Sequence, residues 1–170
     1  YGVAILEREK QIYLENPNIQ PDLSNHDYVL ERQLKPEARK DIIDLLNSHS
    51  IVPTSMIDVS DGLSSELLHL CKQSDVGCNV YEEKIPIDPV TVSTAEEFNL
   101  SPLVAALNGG EDYELLFTIS MADYEKIKSV KEISTIGHIT DQSSGANLVT
   151  NDGQSIELTA QGWNSFSEDP

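Results

Sequence analysis

Lysine and arginine are scarce in this chain: 11 of them stand against 29 aspartates and glutamates in 170 residues, a net charge of −18. Such a chain has no basic face to offer, which argues against nucleic acid and anionic membrane as partners. No run approaches the roughly 18 apolar residues of a membrane span. Only two cysteines occur, Cys71 and Cys78. Their spacing matches no zinc or redox motif, so they read as free, buried thiols, which suits a cytoplasmic protein. The phosphate signatures G-x-x-x-x-G-K-[ST] and G-x-G-x-x-G are missing, as is the G-x-S-x-G elbow of many hydrolases. His69 sits mid-helix as a surface or packing residue, and His26, His49 and His138 show no ligand spacing to one another. The opening YGVAILEREK has no Met and no basic n-region, and it starts inside a helical pattern. It is expected to be cut from a longer protein.

What is present describes a folded domain. Hydrophobic residues make up 39% of the chain and mean hydropathy is −0.29, a balance that suits a globular protein rather than a disordered acidic one. A chain of this size buries roughly 70% of its unfolded surface, enough for a core without metal or disulfide staples. The pattern predicts a helix over 3–14, a loop over 15–25, and a short helix followed by one starting near Pro36. A buried strand over 54–59 runs into a helix with Leu63, Leu67, Leu70 and Cys71 inward, closed by Gly77. Further strands are expected in CNVYEEKIP, over 113–119 and in EISTIGHI, with helices over 101–108 and in MADYEKIKSV. Short strands and turns follow from Thr140. This alternation argues for an α/β layered domain.

Two strings concentrate the chemistry. Asp58-Val59-Ser60-Asp61-Gly62 lies where a strand opens into a helix. Ligands gather at that edge in layered α/β proteins, helix-start N–H groups attract phosphate, and carboxylates there suit a hard divalent cation. The same residues also suit a plain helix cap by Ser60 or Asp61. A calcium loop is ruled out, since counted from Asp58 the glycine is fifth and the twelfth residue is His69. Asn108-Gly109-Gly110-Glu111-Asp112-Tyr113-Glu114 sets two glycines and three carboxylates between a helix and a strand. The glycines would supply positive φ and room for a ligand, and Glu111 and Asp112 would sit at a strand mouth. A glycine cap with a solvated turn is the bland alternative. Trp163, the single tryptophan, follows Gly162 and would either stack on a ring-shaped ligand or pack in the core.

In the order MIDVSDGLSSELLHL, Ser74-Asp75-Val76-Gly77, Ile85-Pro86, GGEDYELLFT, Ile136-Gly137 and Gly162-Trp163 with Phe166, the chain closely resembles the C-terminal domain of the thiamine-monophosphate kinase family. That family lies within the superfamily related to aminoimidazole ribonucleotide synthetase. The likeness covers roughly residues 50–166, and LEREK and Lys35-Pro36-Glu37-Ala38-Arg39 resemble the family's preceding segment. It implies an α/β (α+β) fold, a layered sandwich of a mostly four-stranded mixed sheet with packed helices, like the PurM C-terminal domain. Residues 1–49 would be a helical lead-in joined to an absent N-terminal domain, 50–166 the domain itself, and 167–170 a tail.

The resemblance further implies transfer of the γ-phosphoryl group of ATP to thiamine monophosphate, with Mg2+, in a homodimer that pairs through the N-terminal domain. Asp58 and Asp61 match magnesium ligands, Ser60 a nucleotide contact, Glu111 a substrate-contacting carboxylate and Trp163 an aromatic against the thiamine moiety. Ser165 replaces a histidine of the family's ending. The phosphate acceptor is already ionised at neutral pH, so no general base is expected. The resemblance leaves two other readings open: a selenophosphate synthetase-like or hydrogenase-maturation-like enzyme, or a non-catalytic ligand-binding domain.

Overall fold

In the computed structural model, which describes residues 1–160, helices form where apolar residues recur at three- and four-residue spacing. α1 (Gly2–Glu15) and α2 (Asp27–Leu34) bury Ile5, Val29 and Leu30 together with half-buried Leu23 and Phe98. α3 runs Lys40–Ser48, so it does not start at Pro36 as expected. Arg39 is drawn into ion pairs with Glu114 and Asp41, and residues 36–39 stay irregular. On α3, Ile42 and Leu46 are buried, while Ile43 is 39% exposed.

β1 (Ser55–Asp58) is followed by α4 (Leu63–Ser74), β2 (Val76–Tyr81), a 3-10 turn at Glu82–Lys84, α5 (Pro89–Glu97) and α6 (Pro102–Asn108). Then come β3 (Leu115–Thr118), α7 (Met121–Ile127), β4 (Gly137–Asp141), a 3-10 turn at Gln142–Ser144, β5 (Ala146–Val149) and β6 (Ser155–Glu157). α5, α6 and α7 start where the sequence offers a cap. Asp88, Ser101 and Ser120 each accept a backbone N–H from their own first turn, and Pro89 and Pro102 follow the first two.

Two sheets result. β1 pairs antiparallel with β3, Ser55 opposite Thr118 and Asp58 opposite Leu115. The other sheet has the order β4-β2-β5-β6, with β2 parallel to β5 and the other two pairings antiparallel. The expected four-stranded mixed sheet with packed helices is therefore present, built without β1 and β3. α4 lays Leu63, Leu67 and Cys71 on Cys78 and Val80 of β2 and Ala146 and Leu148 of β5, forming the main core; Leu70 is only half-buried. A second core joins Ile42, Leu46, Ile51 and Ile127 to half-buried Met56, Leu115 and Phe117. β1 is thus half-buried rather than buried, because it has a single strand partner and packs by one face.

Two further boundaries differ from the sequence pattern. Asp75, not Gly77, closes α4: it takes the left-handed turn at φ 53° and returns its N–H to the Cys71 carbonyl. Gly77 belongs to β2, where a Cβ would lie 2.4 Å from the Gly145 oxygen. The strand expected in EISTIGHI begins only at Gly137, the residue opposite Val80. Cys71 and Cys78 are free and buried, as the composition suggested. Burial and the neighbouring Cys71 push the Cys78 thiol up to about 12. No helix among the described residues is long and apolar enough to cross a membrane.

Candidate functional site

β1 ends at Asp58, but backbone pairing continues past it. The Val59 N–H donates to the Glu114 carbonyl at 2.8 Å, the Tyr113 N–H to Val59 at 2.8 Å and the Glu111 N–H to Ser60 at 2.7 Å. Fifty residues apart in sequence, the two acidic strings are thereby stitched into one site at the shared mouth of β1 and β3.

Glycines make that approach possible. A Cβ on Gly110 would stand 2.3 Å from the Ser60 oxygen, and one on Gly62 2.8 Å from the Leu107 oxygen. Gly62 has φ +115°, and Gly110 is not among the positive-φ glycines. Gly109 caps α6 at φ −86°. The positive φ expected of the second string's glycines falls instead on Glu111 (68°) and Tyr113 (53°). A left-handed non-glycine residue costs about 1 kcal/mol or more, and such conformations cluster at functional sites. The room left by Gly110 is filled by the first string's backbone, not by space for a ligand.

Asp58, Asp61 and Glu111 are exposed and Ser60 is half-buried, while Asp112 keeps exposed surface as a residue although neighbouring atoms crowd its carboxyl. α4 has Gly62 as its N-cap with no side-chain cap bond, so neither Ser60 nor Asp61 caps the helix. Instead Glu66 reaches back from inside α4. Its Oε1 accepts the Ser60 N–H and the Ser60 hydroxyl, both at 3.2 Å, and the Asp61 N–H at 3.0 Å. The Ser60 hydroxyl is thus held inward here.

Cations arrive from outside both strings. Arg32 of α2 donates to the Asp112 carbonyl at 3.1 Å and pairs with Glu114; Arg39, ahead of α3, also pairs with Glu114. Gln33 donates to the Glu111 carboxylate. Glu66, Arg32 and Gln33 went unrecognised in the sequence, and Arg39 was noted only within the Lys35–Arg39 segment, without a role at this site. A lone carboxylate among the inward residues of α4 was the one available signal for Glu66, while the others lie too far along the chain to be linked to the strings.

Loss of solvent raises the Asp112 carboxyl above its ordinary value, Arg32 opposing the rise and Glu114 adding to it. Arg39 holds Asp41 below its ordinary value. The second string also lines a cavity of about 970 Å³, mostly apolar (Leu67, Val80, Leu116, Ile136), with Tyr28, Arg32, Glu111 and Asp112 on its wall.

Among the described residues no three or more His, Cys, Asp or Glu side chains converge as a metal site. Asp58 and Asp61 nevertheless offer hard carboxylate oxygens on one exposed turn. That set fits magnesium, which keeps several waters and takes one or two carboxylates together with phosphate oxygens. Trp163, Ser165 and Phe166 lie outside the described residues.

No family model matches the sequence. The thiamine-monophosphate kinase of Buchnera aphidicola subsp. Acyrthosiphon pisum is 34% identical over 170 residues, covering 97% of this chain and 48% of that protein. The structure of AaThiL complexed with AMPPCP and TMP superposes with a TM-score of 0.69 at 26% identity, over 93% of this chain and 47% of the other. The hydrogenase maturation protein HypE shares the fold, with a TM-score of 0.57 at 16% identity over 75% of this chain and 43% of the other. The chain spans about half the length of the curated relatives it matches. By the identity it keeps across nearly its whole length, the chain belongs to the thiamine-monophosphate kinase family, as the counterpart of that family's C-terminal half.

Proposed function

We propose that this chain is the C-terminal part of an ATP- and Mg2+-dependent kinase that phosphorylates thiamine monophosphate to thiamine diphosphate by direct phosphoryl transfer. The observation that carries the reading is the joining of the two acidic strings by the Val59–Glu114, Tyr113–Val59 and Ser60–Glu111 backbone bonds. It gathers Asp58, Ser60, Asp61 and Glu111 at one mouth. The complex of the related AaThiL with AMPPCP and TMP supports ATP and thiamine monophosphate as the ligand pair.

Phosphoryl transfer between two phosphates asks for alignment and charge neutralisation more than for covalent help. Asp58 and Asp61 would hold the magnesium ion. Bound there, it would neutralise phosphate charge and let two anions approach. Ser60 would orient a nucleotide phosphate once its hydroxyl turns from Glu66. Glu111, on the wall of the acidic-mouthed cavity, would position the substrate through its cationic thiazolium or its aminopyrimidine. No side chain is assigned as general base, because the acceptor oxygen is already ionised. Trp163 would supply the aromatic contact to the thiamine moiety. We also read residues 1–49 as a lead-in to an N-terminal domain, 50–166 as the catalytic half-domain and 167–170 as a tail. The whole protein is read as a cytoplasmic homodimer that pairs through the N-terminal domain.

The test is Asp61→Ala in the full-length protein, assayed for thiamine diphosphate with coupled ADP detection. Loss of a metal-holding carboxylate should lower turnover by about 100-fold or more with the thermal midpoint nearly unchanged. Undiminished turnover rejects the assignment.

A further inference from the structure

We propose that Glu66 is a positioning residue that sets the Asp58–Asp61 turn to face a cation, a role that rests on the kinase reading above. Glu66 is 2% exposed, on the inward face of α4 among Leu63, Leu67 and Cys71. A buried carboxylate is costly unless it is well bonded, and an apolar side chain would pack this helix more cheaply. Its Oε1 gathers three donors, the Ser60 N–H, the Ser60 hydroxyl and the Asp61 N–H. Oε2 is buried without a hydrogen-bond partner among the described residues. The hydrogen bonds of the buried group thus converge on a single turn.

The consequence narrows one sequence expectation. N–H groups ahead of a helix normally attract phosphate. Here two of them, with the hydroxyl between, already serve a protein carboxylate. The turn is left presenting the exposed carboxylates of Asp58 and Asp61 outward. It faces its ligand as an acidic surface, so a divalent cation is needed to bring phosphate oxygens to it, and the Ser60 hydroxyl joins them only on turning from Glu66. Glu66 touches neither substrate nor metal in this arrangement. It acts through the backbone of the residues that do.

The experiment uses the full-length protein and the variants E66A and E66Q. Three readings are taken: amide hydrogen exchange at Ser60 and Asp61, the midpoint of an Mg2+ titration followed at the Asp61 amide, and the two KM values. E66A should speed exchange at both amides and raise the Mg2+ midpoint about tenfold, as loss of an outer partner of a metal site does. The KM for Mg·ATP should rise with it while that for thiamine monophosphate holds. E66Q keeps one acceptor oxygen and nearly the same volume. It should fold as the parent does and raise the Mg2+ midpoint severalfold. Unchanged exchange and midpoint in E66Q, or an equal rise of both KM values in E66A, overturns the proposal. Should the parent protein fail to phosphorylate thiamine monophosphate, the kinase reading falls, while exchange and the Mg2+ midpoint still decide the role of Glu66.

Discussion

Asp112 illustrates how one residue's chemistry depends on neighbours the sequence keeps far away. Its carboxyl loses solvent and faces Glu114, and Arg32 only partly offsets the two. The folded chain therefore holds the proton more tightly than the unfolded chain does. Stability from this group is fully present below the unfolded value and is lost as pH rises through the folded one. Asp112→Asn removes that loss. The variant should be more stable than the parent at pH 7, and the gap should close below the ordinary value of 3.8, where the carboxyl is neutral in both states. Urea unfolding at the two pH values checks this, and a variant no more stable at pH 7 contradicts it. Asp58, Ser60, Asp61 and Glu111 were legible as candidates because unusual residue types cluster there. Their partners were not. Glu66 reads as one more helical carboxylate until the fold buries it, and Arg32 and Gln33 meet the second string only across more than 75 residues of chain.

α6 and α7, whose signals are local, were legible at their starts. Ser120 precedes α7, donates its hydroxyl to Asp123 and accepts the Asp123 N–H at 3.2 Å. α7 carries Ile127, 3% exposed, into the second core. Ser120→Ala should cost about 1 kcal/mol, lowering the thermal midpoint by about 2–4 °C in a chain of this size. Calorimetry of parent and variant checks it, and an unchanged midpoint means the cap is idle. Elements defined by a partner were misjudged. Gly77 suits a helix end by composition, yet its backbone is claimed by the crowded junction with Gly145 and Thr140, and Asp75 turns the chain instead. β4 starts where β2 offers it a partner, not where its apolar run begins. Likewise, nothing in the strands' composition separates β1 and β3 from the larger sheet; pairing alone does.

Over the whole molecule, the net charge of −18 governs how anions are received. No Lys or Arg lies between Lys40 and Lys72 or between Lys84 and Lys126, the stretches that hold both strings. The fold does bring Arg32 and Arg39 to the site, but Glu114 and Asp41 already pair with them. An anionic ligand then meets net repulsion unless a divalent ion accompanies it. Calorimetric titration of the full-length protein with ATP should show binding in Mg2+ that weakens by about tenfold or more in EDTA. Equal binding in both would mean that basic side chains carry the phosphates.

The sequence by itself determined the acidic character, most of the helices and the two carboxylate strings, because these depend on residues within a few positions of one another. Only the tertiary structure decided that the two strings meet at one mouth, that Glu66 holds the Ser60–Asp61 backbone, and that Arg32 and Arg39 already pair with carboxylates. Those outcomes rest on hydrogen bonds and ion pairs between segments far apart in the sequence, which only the folded chain brings together.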